Sequence, residues 1–148
     1  MQAYPHHYEV QATAREEGSV AIASEGLPSL STAPPIQFGG PGDQWSPETL
    51  FVAAAVDCLI LTFRAMARAS NLPWLDIDCR AEGVLDRAEQ VTLFTELRLQ
   101  ARLTLPAGGD IARGRRLLEK AEKACLVTNS LKVEPVLAAE VMIAPPEA

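Results

Sequence analysis

Hydrophobic and polar positions change their period several times along this chain, and each change marks a new element. Alternation at Tyr8, Val10 and Ala12, then at Val20 and Ile22, with Glu16, Glu17 and Gly18 between them, predicts an opening β-hairpin. Residues 34–45, PPIQFGGPGDQW, carry too much Gly and Pro for regular structure. Ser46 and Pro47 read as the N-cap and first position of a helix that runs to about Ser70, where Asn71 and Pro73 stop it. Leu75, Ile77, Cys79 and Ala81 then alternate with Asp76, Asp78, Arg80 and Glu82, a strand with one core face and one charged face. A polar turn at 86–90 follows. Period two resumes at Val91, Leu93, Thr95, Leu97, Leu99, Ala101, Leu103 and Leu105, so the two strands make a long antiparallel hairpin. Asp110 caps a second helix, in which Ile111, Leu118, Ala121 and Cys125 share an apolar stripe. A last strand is expected over about 133–143. No repeat or low-complexity tract appears, and 148 residues suit a single α+β domain, 1–148.

The first helix imposes a further requirement. SPETLFVAAAVDCLILTFRAMARAS is apolar around nearly its whole circumference, and one antiparallel sheet covers only one side of it. Ala53, Ala54 and Ala55 are small enough for another helix axis to approach closely, and a second copy of the chain is the simplest supplier. Glu48 and Cys58 lie 10 positions apart, which is about 15 Å along one helix. Two copies crossing antiparallel at Ala53 would set Glu48 of one beside Cys58 of the other.

Composition narrows the function classes. The net charge of −6, with scattered arginines, gives no electrostatic reason to approach nucleic acid. The run Leu50 to Phe63 contains Asp57 and is short of the roughly 20 residues that span a bilayer, so it reads as a buried helix and no membrane partner is expected. The N-terminus lacks the features of a signal peptide, and 3 cysteines form no disulfide framework, which points to a reducing cytoplasm. No close ligand spacing suggests a metal, and His6 and His7 read as surface residues. The glycines of FGGPGD lack the ending of a phosphate loop.

The chemistry then rests on sulfur. A thiol in an apolar helix is usually inert packing, and Cys79, on an inward strand face, keeps that reading. Cys58 and Cys125 differ, because two thiols on the core faces of separate helices could meet and cycle between dithiol and disulfide. Asp57 beside Cys58 points elsewhere on the helix and is expected to reach solvent. Trp45 and Phe38 read either as an apolar pocket rim or as core.

SPETLFVAAAVDCLILTF, followed far downstream by CLVTNSLKVEP, resembles the OsmC/Ohr family of osmotically inducible and organic hydroperoxide resistance proteins. The loop PPIQFGGPG is similar to generic OsmC-type members. The resemblance implies an intertwined α+β homodimer with antiparallel sheets, a long buried central helix and a second helix. It also implies an antioxidant, stress-response role: thiol-dependent reduction of organic hydroperoxides, with no bound cofactor. Cys58 would attack the peroxide, Cys125 would resolve the sulfenic acid, and an external dithiol, by resemblance a lipoylated protein, would reduce the disulfide. Cys125 suits the resolving role, because a helix C-terminus disfavours a thiolate. The family activates its attacking thiol with an arginine held by a glutamate. Glu48 matches the glutamate; Gln37 and Phe38 stand where one subgroup has the arginine, and Arg15 is the counterpart of the other subgroup's. Leu126 stands where the family often has proline. Two other readings compete: a binding module of the same fold without turnover, and a hot-dog thioesterase, for which no acyl-transfer constellation is evident.

Overall fold

The computed structural model describes residues 1–147 and divides into two compact units, Met1–Phe51 and Val52 onward. The first unit holds a three-stranded antiparallel sheet of β1 (Gln11–Thr13), β2 (Val20–Ala23) and β3 (Leu30–Thr32), in that order. The predicted hairpin is therefore present with a shorter first strand, and it gains β3, whose three residues are too few to show a period. A 3-10 turn at Ile36–Phe38 crosses the Gly/Pro loop. Gly40 is required there, because a Cβ would sit 1.6 Å from the carbonyl oxygen of Pro34. Phe38 and Trp45 are both exposed, so neither packs into the core of this chain.

Ser46 caps α1 (Pro47–Ala69) as expected. Its Oγ accepts from the Thr49 N–H at 3.1 Å, while Thr49 Oγ1 accepts from the Ser46 N–H at 2.8 Å, a reciprocal pair at the helix start. Asn71 stops the helix in the left-handed region, at φ 52°.

The second unit is built on β4 (Asp76–Ala88), β5 (Val91–Leu105) and β6 (Pro135–Ile143), with α2 (Ile111–Ala124) between β5 and β6. The long hairpin closes through Glu89 and Gln90 alone, both at positive φ (50° and 68°), so the expected turn at 86–90 shrinks to two residues. Two features correct the predicted pattern. Val84 pairs Glu96 and Leu85 pairs Phe94, which leaves Thr95 as an extra residue in β5. That bulge shifts the phase of the strand's first part, so Phe94, not Val91 or Leu93, takes the core side opposite Leu85. The second correction concerns direction. The β4–β5 pair is antiparallel, but β6 runs parallel to β5, because α2 carries the chain back across the sheet before β6 begins.

Both helices pack on one face of this sheet. Leu97, Leu99, Ala101, Leu103 and Leu105 of β5 are buried on it. Gly83 admits α1, since a Cβ there would lie 2.7 Å from Val52 Cγ2. Gly114 admits α2, since a Cβ would lie 3.2 Å from Leu103 and Val141. The buried stripe of α2 is accordingly Gly114, Leu118 and Ala121, while Ile111, expected in it, is 41% exposed. Asp110 caps α2 by accepting from the Arg113 N–H at 2.9 Å. On the opposite face Arg98 pairs Glu82 and Glu96, and Arg102 pairs Glu140, all solvent-exposed.

In this chain α1 buries a single stripe, Ala55, Leu59, Phe63 and Ala67, with Phe63 edge-on to Trp74 at 5.6 Å. The remainder of the helix, including Leu61 at 49% exposure, lies outside the core of the chain. At 23 residues it exceeds the apolar run read from sequence, and by length and composition alone it could cross a bilayer.

Candidate active site

The second unit brings Cys58 and Cys125 close enough that each thiol shifts the other's ionisation. Cys58 lies on α1 between Ala55 and Leu59 of the buried stripe, on the flank of that stripe, and is half-buried. Cys125 is buried and serves as the C-cap of α2, where φ −65° and ψ 108° turn the chain out of the helix. All three cysteines are free of disulfides.

The turn after α2 is closed by its own hydrogen bonds. The Asn129 N–H donates to the Cys125 carbonyl at 3.0 Å, Thr128 Oγ1 donates to the same carbonyl at 3.2 Å, and Asn129 Nδ2 donates to the Lys123 carbonyl at 3.0 Å. Asn129, singled out by the motif, thus ties the α2 terminus to the Thr128–Ser130 3-10 turn.

The two thiols are electrostatically unlike. Burial pushes Cys58 up, but the surrounding polar groups, the Cys125 thiol first and then the Val127 backbone, the Thr62 hydroxyl and the Leu126 backbone, bring it below its ordinary value. Thr62 Oγ1 lies 3.8 Å from Cys58 Sγ. Burial raises Cys125; bonds from Thr128 pull it back, and the Cys58 thiol raises it further. The site therefore shifts its two sulfurs in opposite directions. Cys79 is different again, pushed up to about 11 by burial and by the Asp78 carboxylate.

Glu48 and Arg15 belong to the first unit. Glu48 stands in the first turn of α1, and its Oε2 is buried with no hydrogen-bond partner among the described residues. Arg15 is exposed between β1 and β2. Asp57 is exposed, as expected. Sequence reading missed Thr62, although its spacing of four from Cys58 on one helix was a usable signal.

A family profile described as OsmC-like protein matches residues 40–140, a span that includes Glu48 and both site cysteines. The chain belongs to this family. Among curated proteins it is 26% identical over 131 residues to the uncharacterized protein YmaD of Bacillus subtilis, covering 86% of this chain and 87% of that one. Among solved structures, an OsmC-like protein of unknown function from Vibrio cholerae superposes with a TM-score of 0.84 at 16% identity, covering 91% of this chain and 99% of the other. An organic hydroperoxide resistance protein from Elizabethkingia anophelis gives 0.74 at 18% identity, covering 98% and 100%. These likenesses establish the OsmC-like fold.

Cys79 yields a pH prediction. The folded state holds this proton more tightly than the unfolded chain, whose thiol titrates near 9.0, so unfolding in alkali releases it and stability falls as pH rises from about 9 toward 11. Urea denaturation at about pH 8 and about pH 10.5 should show a smaller loss for Cys79→Ala than for the wild type. An identical loss in both proteins would contradict it.

Proposed function

We propose that the protein is a homodimeric, thiol-dependent peroxidase that reduces organic hydroperoxides in the reducing cytoplasm, with Cys58 as attacking thiol and Cys125 as resolving thiol. The observation that carries this reading is the mutual influence of two thiols that the fold brings together, which with their surroundings lowers the pKa of Cys58 and raises that of Cys125.

The chemistry balances without a bound cofactor. The Cys58 thiolate attacks the distal peroxide oxygen, the O–O bond breaks, and the alkoxide leaves as the alcohol after taking a proton, with Cys58 oxidised to the sulfenic acid. The Cys125 sulfur then attacks the Cys58 sulfur, forming the disulfide and expelling water. An external dithiol, which the resemblance gives as a lipoylated protein, restores both thiols and becomes a disulfide itself. The raised pKa of Cys125 suits this order, because it stays protonated and does not compete for the peroxide. Glu48 and Arg15 keep the activating roles that the resemblance gives them, and the buried, unpartnered Oε2 of Glu48 supports a cationic partner for that carboxylate.

Purified protein with a dithiol should consume cumene hydroperoxide, and Cys58→Ser should abolish this, whereas Cys125→Ser should retain a single turnover that ends in sulfenic acid. Absence of consumption by the wild type, or full activity in Cys58→Ser, contradicts the proposal.

The second copy follows from α1, whose outer side bears Ala54 and the half-exposed Leu61 without cover from this chain. Sedimentation at micromolar concentration should return twice the 15.9 kDa chain mass. A stable monomer under those conditions would refute the dimer.

A further inference from the structure

We propose that Arg113 is a positioning residue for the Cys58 and Cys125 pair: by tying the start of α2 to the end of α1 it fixes how the two helices slide past each other, and so sets how readily the two sulfurs close a disulfide. The inference deepens the peroxidase reading, and rests on it in taking these two cysteines as the redox pair.

The end of α1 creates the need that Arg113 meets. A helix leaves its last carbonyls without donors from further along the same helix. Here the Ser70 N–H and hydroxyl both donate to the Met66 carbonyl, at 3.0 and 2.7 Å, the Leu72 N–H donates to the Ala67 carbonyl at 2.9 Å, and the Asn71 N–H donates to the Arg68 carbonyl at 3.2 Å. The Ser70 carbonyl is taken by the Arg113 guanidinium, 43 residues away in the chain. A cationic donor is favoured at this negative end of the helix dipole. Arg113 is itself held in place. It is half-buried, its N–H donates to the capping carboxylate of Asp110 at 2.9 Å, and its neighbour Gly114 is buried against Leu103 and Val141. The side chain therefore reaches α1 from a fixed base.

Equal arms carry this contact to the sulfurs. Cys58 stands 12 residues before Ser70, and Cys125 stands 12 residues after Arg113. At about 1.5 Å per residue each arm is about 18 Å long. Two matched arms that leave one cross-link on the same face of a sheet end at the same level, which is where the two thiols come close enough to shift each other's ionisation. Gly83 and Gly114 set the height of each helix over the sheet, and α1 and α2 meet only sparsely along their lengths. A directional hydrogen bond at one end supplies the axial register that such packing leaves loose. Disulfide geometry is narrow, with a sulfur–sulfur bond of about 2.05 Å and a torsion near about 90°, so a looser register spreads the sulfurs over separations from which the bond does not close.

The test reads the disulfide equilibrium and needs no peroxide. Reduced protein is equilibrated at graded ratios of reduced to oxidised glutathione, where each Cys58–Cys125 disulfide that forms consumes one glutathione disulfide and releases two molecules of glutathione. The mixture is quenched with acid, alkylated and mapped by mass spectrometry. Arg113→Met, which keeps the apolar stem and loses the donors, should lower the equilibrium constant about three- to tenfold, the range of one hydrogen bond. Arg113→Lys, which restores a cationic donor, should recover most of the loss. Thr49→Ala loosens the start of α1 and leaves the Arg113 contact alone, so it should lower the urea midpoint without moving the equilibrium constant. An unchanged constant in Arg113→Met overturns the inference, as does an equal fall in Thr49→Ala. Should Arg113→Met not fold, Arg113→Gln, shorter and uncharged, takes its place with the same expected loss. A lowered constant in a protein that leaves hydroperoxide untouched would sink the peroxidase reading alone, and an unchanged one in an active peroxidase would sink this inference alone. A wild type that forms no Cys58–Cys125 disulfide would overturn both.

Discussion

Burial pushes the Cys58 thiol up, and the polar groups around its sulfur bring it back below its ordinary value. Thr62, 3.8 Å away, belongs to its own helix, and the other groups that act on it, Cys125, Leu126 and Val127, stand at the far end of α2. The site thus depends on where two helices, separated in the chain by the long β4–β5 hairpin, come to rest on one sheet. Glycine settles that for both helices, Gly83 of β4 beneath α1 and Gly114 within α2, where a Cβ would meet Val52 in one case and Leu103 and Val141 in the other. The parallel return of β6 along β5 completes the seat of α2 and so fixes the height of Cys125.

Much of this was legible in the chain. Ser46, Pro47 and Asp110 marked helix starts because capping is a local matter, decided by a side-chain oxygen and an N–H a few residues away. The Cys58 and Cys125 pairing was legible because both lie next to apolar helical stripes that had to face a common core. What escaped was non-local. The Thr95 bulge reverses the facing of the residues before it without changing their hydrophobicity, so Val91 and Leu93 looked like core positions that Phe94 occupies. The direction of β6 depends on how α2 crosses the sheet, and β3 is too short for a period.

Cys79 serves as an internal contrast. It too is a half-buried thiol on the core side of the same sheet, but its neighbour is a carboxylate, and its proton is held up to about 11. Burial is common to both residues; the polar groups around Cys58 lower its pKa, whereas the Asp78 carboxylate adds to the rise at Cys79. Within the pair the shifts are opposed, because the interaction with Cys125 lowers Cys58 while that with Cys58 raises Cys125.

The central claim is that two thiols distant in sequence act on one another within one chain. It is tested most directly by treating reduced protein with one equivalent of cumene hydroperoxide, digesting it without reductant and mapping disulfides by mass spectrometry. The account predicts a Cys58–Cys125 crosslink within one chain, with Cys79 still free. A disulfide that joins Cys79, or one that forms only between chains, would contradict it.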